Sequence, residues 1–478
     1  MEAVRPDFAP APGHRIYCNR TLNMRSIKAV GFDMDYTLVH YDVEEWEACA
    51  YGHVRGRLAQ KGHPVHDLRF DPHAFTRGLI VDLQLGNIVK ANRFGYVTRA
   101  AHGMQMMEHD ALRRTYSQVW VSLSAPRWVF LNTLFSLSEA CLYAQMVELA
   151  DAGRLEGNPT YEQIYRMVST AMDAAHLEGE LKAEVVADPE RFLVDDPELV
   201  RALLDLKHAG KKLFLATNSE WNYTVPMMRH AIDRHLPKGT WRDLFDLTIV
   251  QAKKPKFFEA NAPAFRIVDE QGTEEPHAGP LATGGRYRGC NAQLVQDWLG
   301  VGGEDILYVG DHVYADVHVS SSIRRWRTAL ILRELEEEIV QEHRFAADQV
   351  LFNEAIEQKA HMDREQAMLR LALQRMDHGE TLPAGAPAGA TAATERLKVL
   401  RQVGEALDHE LAALARRAGQ IGNPRWGPLM RAGNDKSRLA RQIERHADVY
   451  TSRVANFLHL TPFGYLRAAH GTLPHDAV

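Results

Sequence analysis

The chain has 478 residues, 45% of them apolar and 25% charged, which is the composition of an ordinary globular protein. That length predicts two or three domains. A formal net charge of −6 excludes a general nucleic-acid binder, which needs a basic footprint against phosphates. A local basic pocket for one small phosphorylated molecule stays open.

The first segment, MEAVRPDFAPAPGH, is proline-broken and has no apolar core, so it does not read as a secretory signal. An apolar run from Ile27 to Phe32 then ends at Asp33. Residues 42–205 separate this run from the next, far too many for a crossover helix, and predict an inserted domain. Its later part is rich in helix formers, Leu131 to Leu149 and Tyr161 to Val186. The most apolar stretch, Trp128 to Leu149, carries Asn132, Thr133, Ser136 and Glu139, which argues against a membrane span.

Leu213 to Ala216 leads into Thr217, Asn218 and Ser219, and Leu244 to Val250 runs on to Lys253, Lys254 and Pro255. A turn-rich insertion, about residues 259–290, reads as a hairpin or loop. Ile306 to Val309 ends in Gly310 and Asp311, and Thr328 to Leu332 is a fifth run. Short buried-looking runs separated by helical patterns predict an α/β fold, a parallel sheet with helices on both faces.

Glu334 to Met376 reads as charged helix, and 378–393 as a linker of Pro, Gly and Ala. Leu400, Val403, Leu407, Leu411 and Leu414 have helical spacing, suited to packing on the protein's own helices. The expected organisation is a core of 1–41 and 206–335, with its small insertion at 259–290. A large, mainly helical cap occupies 42–205, and a helical C-terminal region, 336–478, packs on the core. Cys18, Cys49, Cys141 and Cys290 are scattered without a C-x-x-C pair, suggesting neither a zinc site nor a disulfide framework. The expected location is cytoplasmic.

In open parallel sheets ligands bind beyond the carboxyl ends of the strands, so the polar residues that end these runs should share one crevice. In GFDMDYTL, residues 31–38, Asp33 can attack a phosphoryl group and form an acyl phosphate. Asp35 can protonate the leaving oxygen and then activate water, given an environment unlike that of Asp33. Thr37 adds a hydroxyl and backbone donors for the phosphate. Thr217, Asn218 and Ser219 offer hydroxyl and amide ligands near a helix start, although such residues also cap helices for structural reasons alone. Lys254 offsets phosphoryl charge. In YVGDHVYADV, residues 308–317, Asp311 and Asp316 join Asp33 as a magnesium ligand set, with the backbone carbonyl of Asp35. No G-x-x-x-x-G-K-[ST] loop is present, which disfavours a P-loop NTPase.

GFDMDYT, ATNS, AKKP and YVGDHVYADV resemble the four motifs of the haloacid dehalogenase superfamily. LNTLFSL and HADVYTSRVANFLHLTPFGYLRAAH make the chain similar to its cytosolic purine 5′-nucleotidase branch. The resemblance implies a Rossmann-like core, an inserted cap and Mg²⁺. It implies Asp33 as nucleophile, Asp35 as acid/base, Thr217, Asn218 and Lys254 on the phosphate, and Asp311 and Asp316 at the metal. The implied substrates are nucleoside 5′-monophosphates, chiefly IMP and GMP. Phe135 matches the aromatic that stacks on the purine, and Asp173, His176 and Lys182 match cap positions facing the nucleotide. Ser136, Ser169 and Leu177 depart from that pattern. Asn132, Gln442 and Arg445 match a regulatory nucleotide site, from which Ser122 and Ser322 depart. A homo-oligomer is expected. The competing readings are a phosphatase or phosphotransferase for another phosphorylated metabolite, and a catalytically inert binding protein; intact Asp33, Asp35, Lys254 and Asp311 speak against the last.

Overall fold

The computed structural model describes residues 10–469 and 471, apart from 178 and 260 and the side chains of 176 and 177. At its centre is a ten-stranded sheet. The strand order is Tyr17–Cys18, Val449–Thr451, Arg327–Ile331, Ile306–Gly310, Ala29–Phe32, Lys212–Ala216, Leu247–Val250, Gly285–Gly289, Ala264–Ile267, Glu274–His277. From Val449–Thr451 to Gly285–Gly289 every neighbour is parallel. Antiparallel strands finish both edges.

The central strands read as continuous apolar runs because both of their faces are covered. Alternate residues serve opposite layers. Val30, Phe32, Leu213, Leu215, Leu307 and Val309 pack on one side, and Ala29, Phe214, Ala216, Ile306, Tyr308 and Trp326 on the other. Gly31 is required by that second layer, since a Cβ there would lie 2.1 Å from the Phe214 ring. The Ala29–Phe32 strand pairs with Ile306–Gly310 on one side and Lys212–Ala216 on the other. It is therefore the point from which the chain departs in both directions, where open α/β sheets bind ligands.

Residues 42–205 contain more than helices. Asp42 caps the Val43–Gln60 helix by accepting the Glu45 N–H at 3.0 Å, and Leu137–Asp151 and Tyr161–Leu177 are helical as expected. Between them lies a five-stranded antiparallel sheet formed by Ile80–Asp82, Asn87–Ala91, Val97–His102, Gln105–Met106 and Trp128–Phe130. The expectation of a mainly helical insertion omits this sheet. Ile80–Asp82 and Asn87–Ala91 are buried at every position, so they lack the apolar–polar alternation that marks a half-exposed strand. The insertion's entry and exit, His40–Tyr41 and Leu193–Val194, pair with each other as short antiparallel strands.

The expected turn-rich insertion is a hairpin, Ala264–Ile267 with Glu274–His277, whose first strand pairs with Gly285–Gly289. The sequence reading treats 336–478 as one helical region. In the structure Leu429–Val478 belongs instead to the large unit with Met1–Glu337, and Glu338–Pro428 forms a second compact unit. The Val449–Thr451 strand, adjoining Arg327–Ile331, accounts for the difference, being too short to stand out against helical surroundings. Within the second unit the helices Ala346–Asp377 and Ala390–Ala418 pack through Leu369, Ala393 and Leu400. Leu400 and Leu407 of the apolar stripe are buried, while Val403 is exposed. No helix among the described residues is long and apolar enough to cross a membrane.

Candidate active site

The register of the three central strands sets their ends side by side. Phe32 is opposite both Val309 and Leu215, so Asp33, Asp311 and Thr217 emerge together at the carboxyl edge. The Asp33 N–H donates to Val309 O at 2.9 Å, and the Thr217 N–H to Ile249 O at 3.0 Å, extending the pairing into the site.

Asp33 is buried. Its Oδ1 accepts the Met34 N–H at 2.7 Å and lies 2.7 Å from Lys254 Nζ. The same ammonium is 2.7 Å from Asp316 Oδ1 and donates to the Tyr308 hydroxyl at 3.2 Å. Tyr308 in turn donates to Ala216 O at 2.9 Å, tying the lysine to the neighbouring strand. Asp316 reaches this point from the helical turn Val313–His318, which folds back over Gly310. A Cβ at Gly310 would meet Asp316 Cβ at 2.5 Å, so glycine permits the approach. The His312 N–H donates to Asp316 Oδ2 at 3.1 Å.

Ligand oxygens of Asp33, Asp311 and Asp316, all three residues buried, lie within 4.8 Å of one another. Burial pushes the Asp33 carboxyl well above the usual range; Lys254 opposes this, and Asp316, Asp311 and Asp35 add to it. Burial likewise raises Asp311 to about 7, against Arg77 and with Asp316. Burial disfavours the charged Lys254, but Asp316 and Asp33 outweigh it and its pKa is raised. Asp311 Oδ2 is buried without a hydrogen-bond partner. Among the described residues these carboxylates outnumber the ammonium that touches them, and with an orphaned buried oxygen they form a donor set that fits a hard divalent cation.

Asp35 has a different environment. Its Oδ1 accepts the Tyr41 hydroxyl at 2.5 Å and its Oδ2 the Ser219 hydroxyl at 2.8 Å. Tyr41 and Tyr223 share a further hydroxyl contact at 2.9 Å. Thr217 Oγ1 accepts the Ser219 N–H at 3.0 Å. Asn218, exposed at the edge, clamps the Lys254 backbone: its Oδ1 accepts the N–H at 2.7 Å and its Nδ2 donates to the carbonyl at 3.2 Å. The Thr37 hydroxyl is buried in the turn after Asp35 and has no hydrogen-bond partner among the described residues.

The cap residues are less closely gathered. Lys182 pairs with Glu220 at 2.7 Å and lies 5.1 Å from the centre of the Tyr223 ring, one step from the Tyr41–Asp35 contact. Phe135 packs edge-on against Tyr36 and Trp46, with centroids 4.6 and 5.6 Å away. Asp173 is exposed on the Tyr161–Leu177 helix, where its charge acts on Glu139 and Tyr165. The His176 side chain lies outside the described residues. Tyr41, Tyr308 and Arg77 escape the sequence reading. Arg77 is buried and donates to the carbonyls of Asn132, at 2.9 Å, and Asp311. No local pattern marks these three; a buried arginine or tyrosine is assigned only when its partner is known.

The strand order, the departure in both directions from Ala29–Phe32 and the carboxylate–lysine cluster define a phosphohydrolase fold of the haloacid dehalogenase type. Residues 16–478 match the 5′ nucleotidase family, and the chain belongs to that family of phosphoric monoester hydrolases. A 5′-nucleotidase domain-containing protein of Dictyostelium discoideum is 26% identical over 485 residues, covering 96% of this chain and 74% of that one. The human 5′-nucleotidase domain-containing protein 2 is 30% identical over 342 residues, covering 68% of this chain and 64%, just under two thirds, of its own length. Among solved structures, an archaeal β-phosphoglucomutase from a Pyrococcus strain is 13% identical, covers 64% of this chain and 86% of that one, and has a TM-score of 0.30. That likeness is too slight to bear on function.

Proposed function

We propose that the protein is a magnesium-dependent 5′-nucleotidase acting on nucleoside 5′-monophosphates, with IMP and GMP preferred, through an aspartyl phosphate on Asp33. The observation that supports the chemistry best is the contact of Lys254 with Asp33 and Asp316, 2.7 Å from each. A carboxylate oxygen of Asp33 attacks phosphorus, and the bond from phosphorus to the ester oxygen breaks. Asp35, oriented by Tyr41 and Ser219, gives the departing oxygen its proton. It then takes a proton from a water that attacks phosphorus, breaking the bond to Asp33 and releasing phosphate. Lys254 offsets charge on the transferring group, and Thr217 and Asn218 border it.

Magnesium, held by Asp33, Asp311 and Asp316 with the Asp35 carbonyl, would neutralise the phosphoryl oxygens and keep Asp33 ionised. Residues 42–205 act as a cap, joined to the core at the paired strands His40–Tyr41 and Leu193–Val194. Phe135, Asp173, His176 and Lys182 are the cap residues that the family resemblance assigns to the nucleotide. The four free cysteines suit a reducing, cytoplasmic setting, and the family resemblance supports a homo-oligomer.

The test is phosphate release from a panel of nucleoside monophosphates and sugar phosphates, with magnesium or EDTA, for wild type and Asp33→Asn. Magnesium-dependent release from IMP or GMP that disappears in the variant is expected. Release from sugar phosphates alone would keep the mechanism and discard the nucleotide substrate. No release from any ester would discard both.

A further inference from the structure

The Val43–Gln60 helix has two faces. Trp46, Ala50, Tyr51, Val54 and Leu58 are buried. Cys49, Gly52, His53, Gly56, Arg57 and Gln60 follow the spacing of one helical stripe and, with Glu180, Glu184 and Arg191, line a groove of about 520 Å³. Packing does not demand the two glycines, because a Cβ at either would meet nothing within 4 Å. Each costs roughly 1 kcal/mol against alanine in a helix, and together they leave the groove open.

One end of the groove gathers a mixed donor set. Cys49 Sγ donates to Glu184 Oε2 at 3.1 Å, and His53 Nε2 lies 2.9 Å from Glu184 Oε1. Cys49, His53 and Glu184 can each offer a ligand atom within 4.8 Å of the others. Tetrahedral zinc, with bonds of about 2.0–2.3 Å, sets its ligands roughly 3.3–3.8 Å apart. Glu180 Oε2 stands 3.7 Å from the other ring nitrogen of His53, where a carboxylate orients a metal-bound imidazole.

We propose that Cys49, His53 and Glu184 form a transition-metal site, filled best by zinc, with its fourth position facing the groove. A thiolate, an imidazole and one carboxylate suit zinc rather than magnesium or calcium, which take oxygen ligands. The charges agree. Among the charged contacts of the described residues, a Cys49 thiolate with Glu45, Glu180 and Glu184 is set against Arg57 and Arg191, which leaves two negative charges for a divalent ion. Burial first, then the Glu184 contact, pushes the Cys49 thiol up to about 12, so zinc must displace its proton on binding. The metal would clamp the Val43–Gln60 helix to Glu180–Ala187, the helix that carries Lys182. The site stands independently of the phosphatase reading.

Cobalt(II) titration of the chelator-treated, reduced 478-residue chain tests it. The expected result is a sulfur-to-cobalt charge-transfer band saturating at one equivalent and bleached by zinc. The band should vanish in Cys49→Ser and persist in Asp311→Asn, which separates this site from the carboxylate cluster. In competition with a chromophoric chelator, His53→Ala and Glu184→Gln, checked for folding by circular dichroism, should bind zinc more than ~10-fold more weakly, since loss of an outer-shell partner alone costs about that much. No band in the wild type, an unchanged band in Cys49→Ser, or unchanged zinc affinity in folded Glu184→Gln would overturn the proposal.

Discussion

Lys254 Nζ lies 2.7 Å from Asp33 Oδ1, and both residues are buried. The lysine also holds Asp316, so its removal strands two buried carboxylates. Breaking a buried pair from one side costs about 3–5 kcal/mol. Losing a charge-stabilising donor costs about 10²–10³ in kcat. Lys254→Met should show both losses in denaturant unfolding and in steady-state kinetics. A variant of full stability and full activity would contradict the role assigned to this contact.

A cation that binds among Asp33, Asp311 and Asp316 relieves their mutual repulsion, so magnesium should stabilise the native state. At a hundredfold excess over its Kd the gain is about 2.7 kcal/mol, visible as a rise in Tm that EDTA reverses. Asp311→Asn should lose most of that rise, because the orphaned Oδ2 belongs to this side chain. An equal rise in wild type and variant would place the ion elsewhere.

Tyr41 holds Asp35 with a 2.5 Å hydrogen bond, and in the proposed mechanism it is a positioning residue. Tyr41→Phe should lower kcat about 10-fold, a fraction of the 10²–10⁴ that general acid–base catalysis supplies, with KM nearly unchanged. An equal fall in binding and turnover would point instead to a general loss of structure.

Glu47 offers a pH signature away from the reacting groups. It is wholly buried, its Oε2 accepts the Ser138 N–H at 2.7 Å, and burial raises its carboxyl from 4.5 to about 7. The native state therefore holds this proton more tightly than the unfolded chain. The resulting stability is complete below pH ~4.5 and is lost as pH rises through ~7. A shift of about 2.5 units corresponds to roughly 3 kcal/mol. Urea unfolding should show Glu47→Gln gaining on wild type by about that much between pH 4.5 and 8; a constant difference would contradict the assignment.

Asp33, Thr217, Lys254 and Asp311 were legible in the sequence because each follows a short apolar run, and a parallel sheet brings such ends together. Asp316 and Ser219 followed from the same motifs. Arg77 was not legible, since its link to Asp311 spans 234 positions and leaves no local trace. Cys49 and Glu184, 135 positions apart, are hidden in the same way. The sheet of 80–130 escaped because Asn87–Ala91 is buried on both faces, and periodicity reads only strands with one wet face. Phe135, matched by resemblance to a base-stacking position, packs among Tyr36 and Trp46, a setting no linear pattern reveals.

In the proposed mechanism Asp33 carries the phosphoryl group. Rapid quench during turnover of IMP with magnesium, followed by borohydride reduction and peptide mass spectrometry, tests it directly. An aspartyl phosphate is reduced to homoserine, so homoserine is expected at position 33 in wild type and none without substrate. Turnover of IMP with Asp33 unmodified, or with homoserine at another carboxylate, would contradict it.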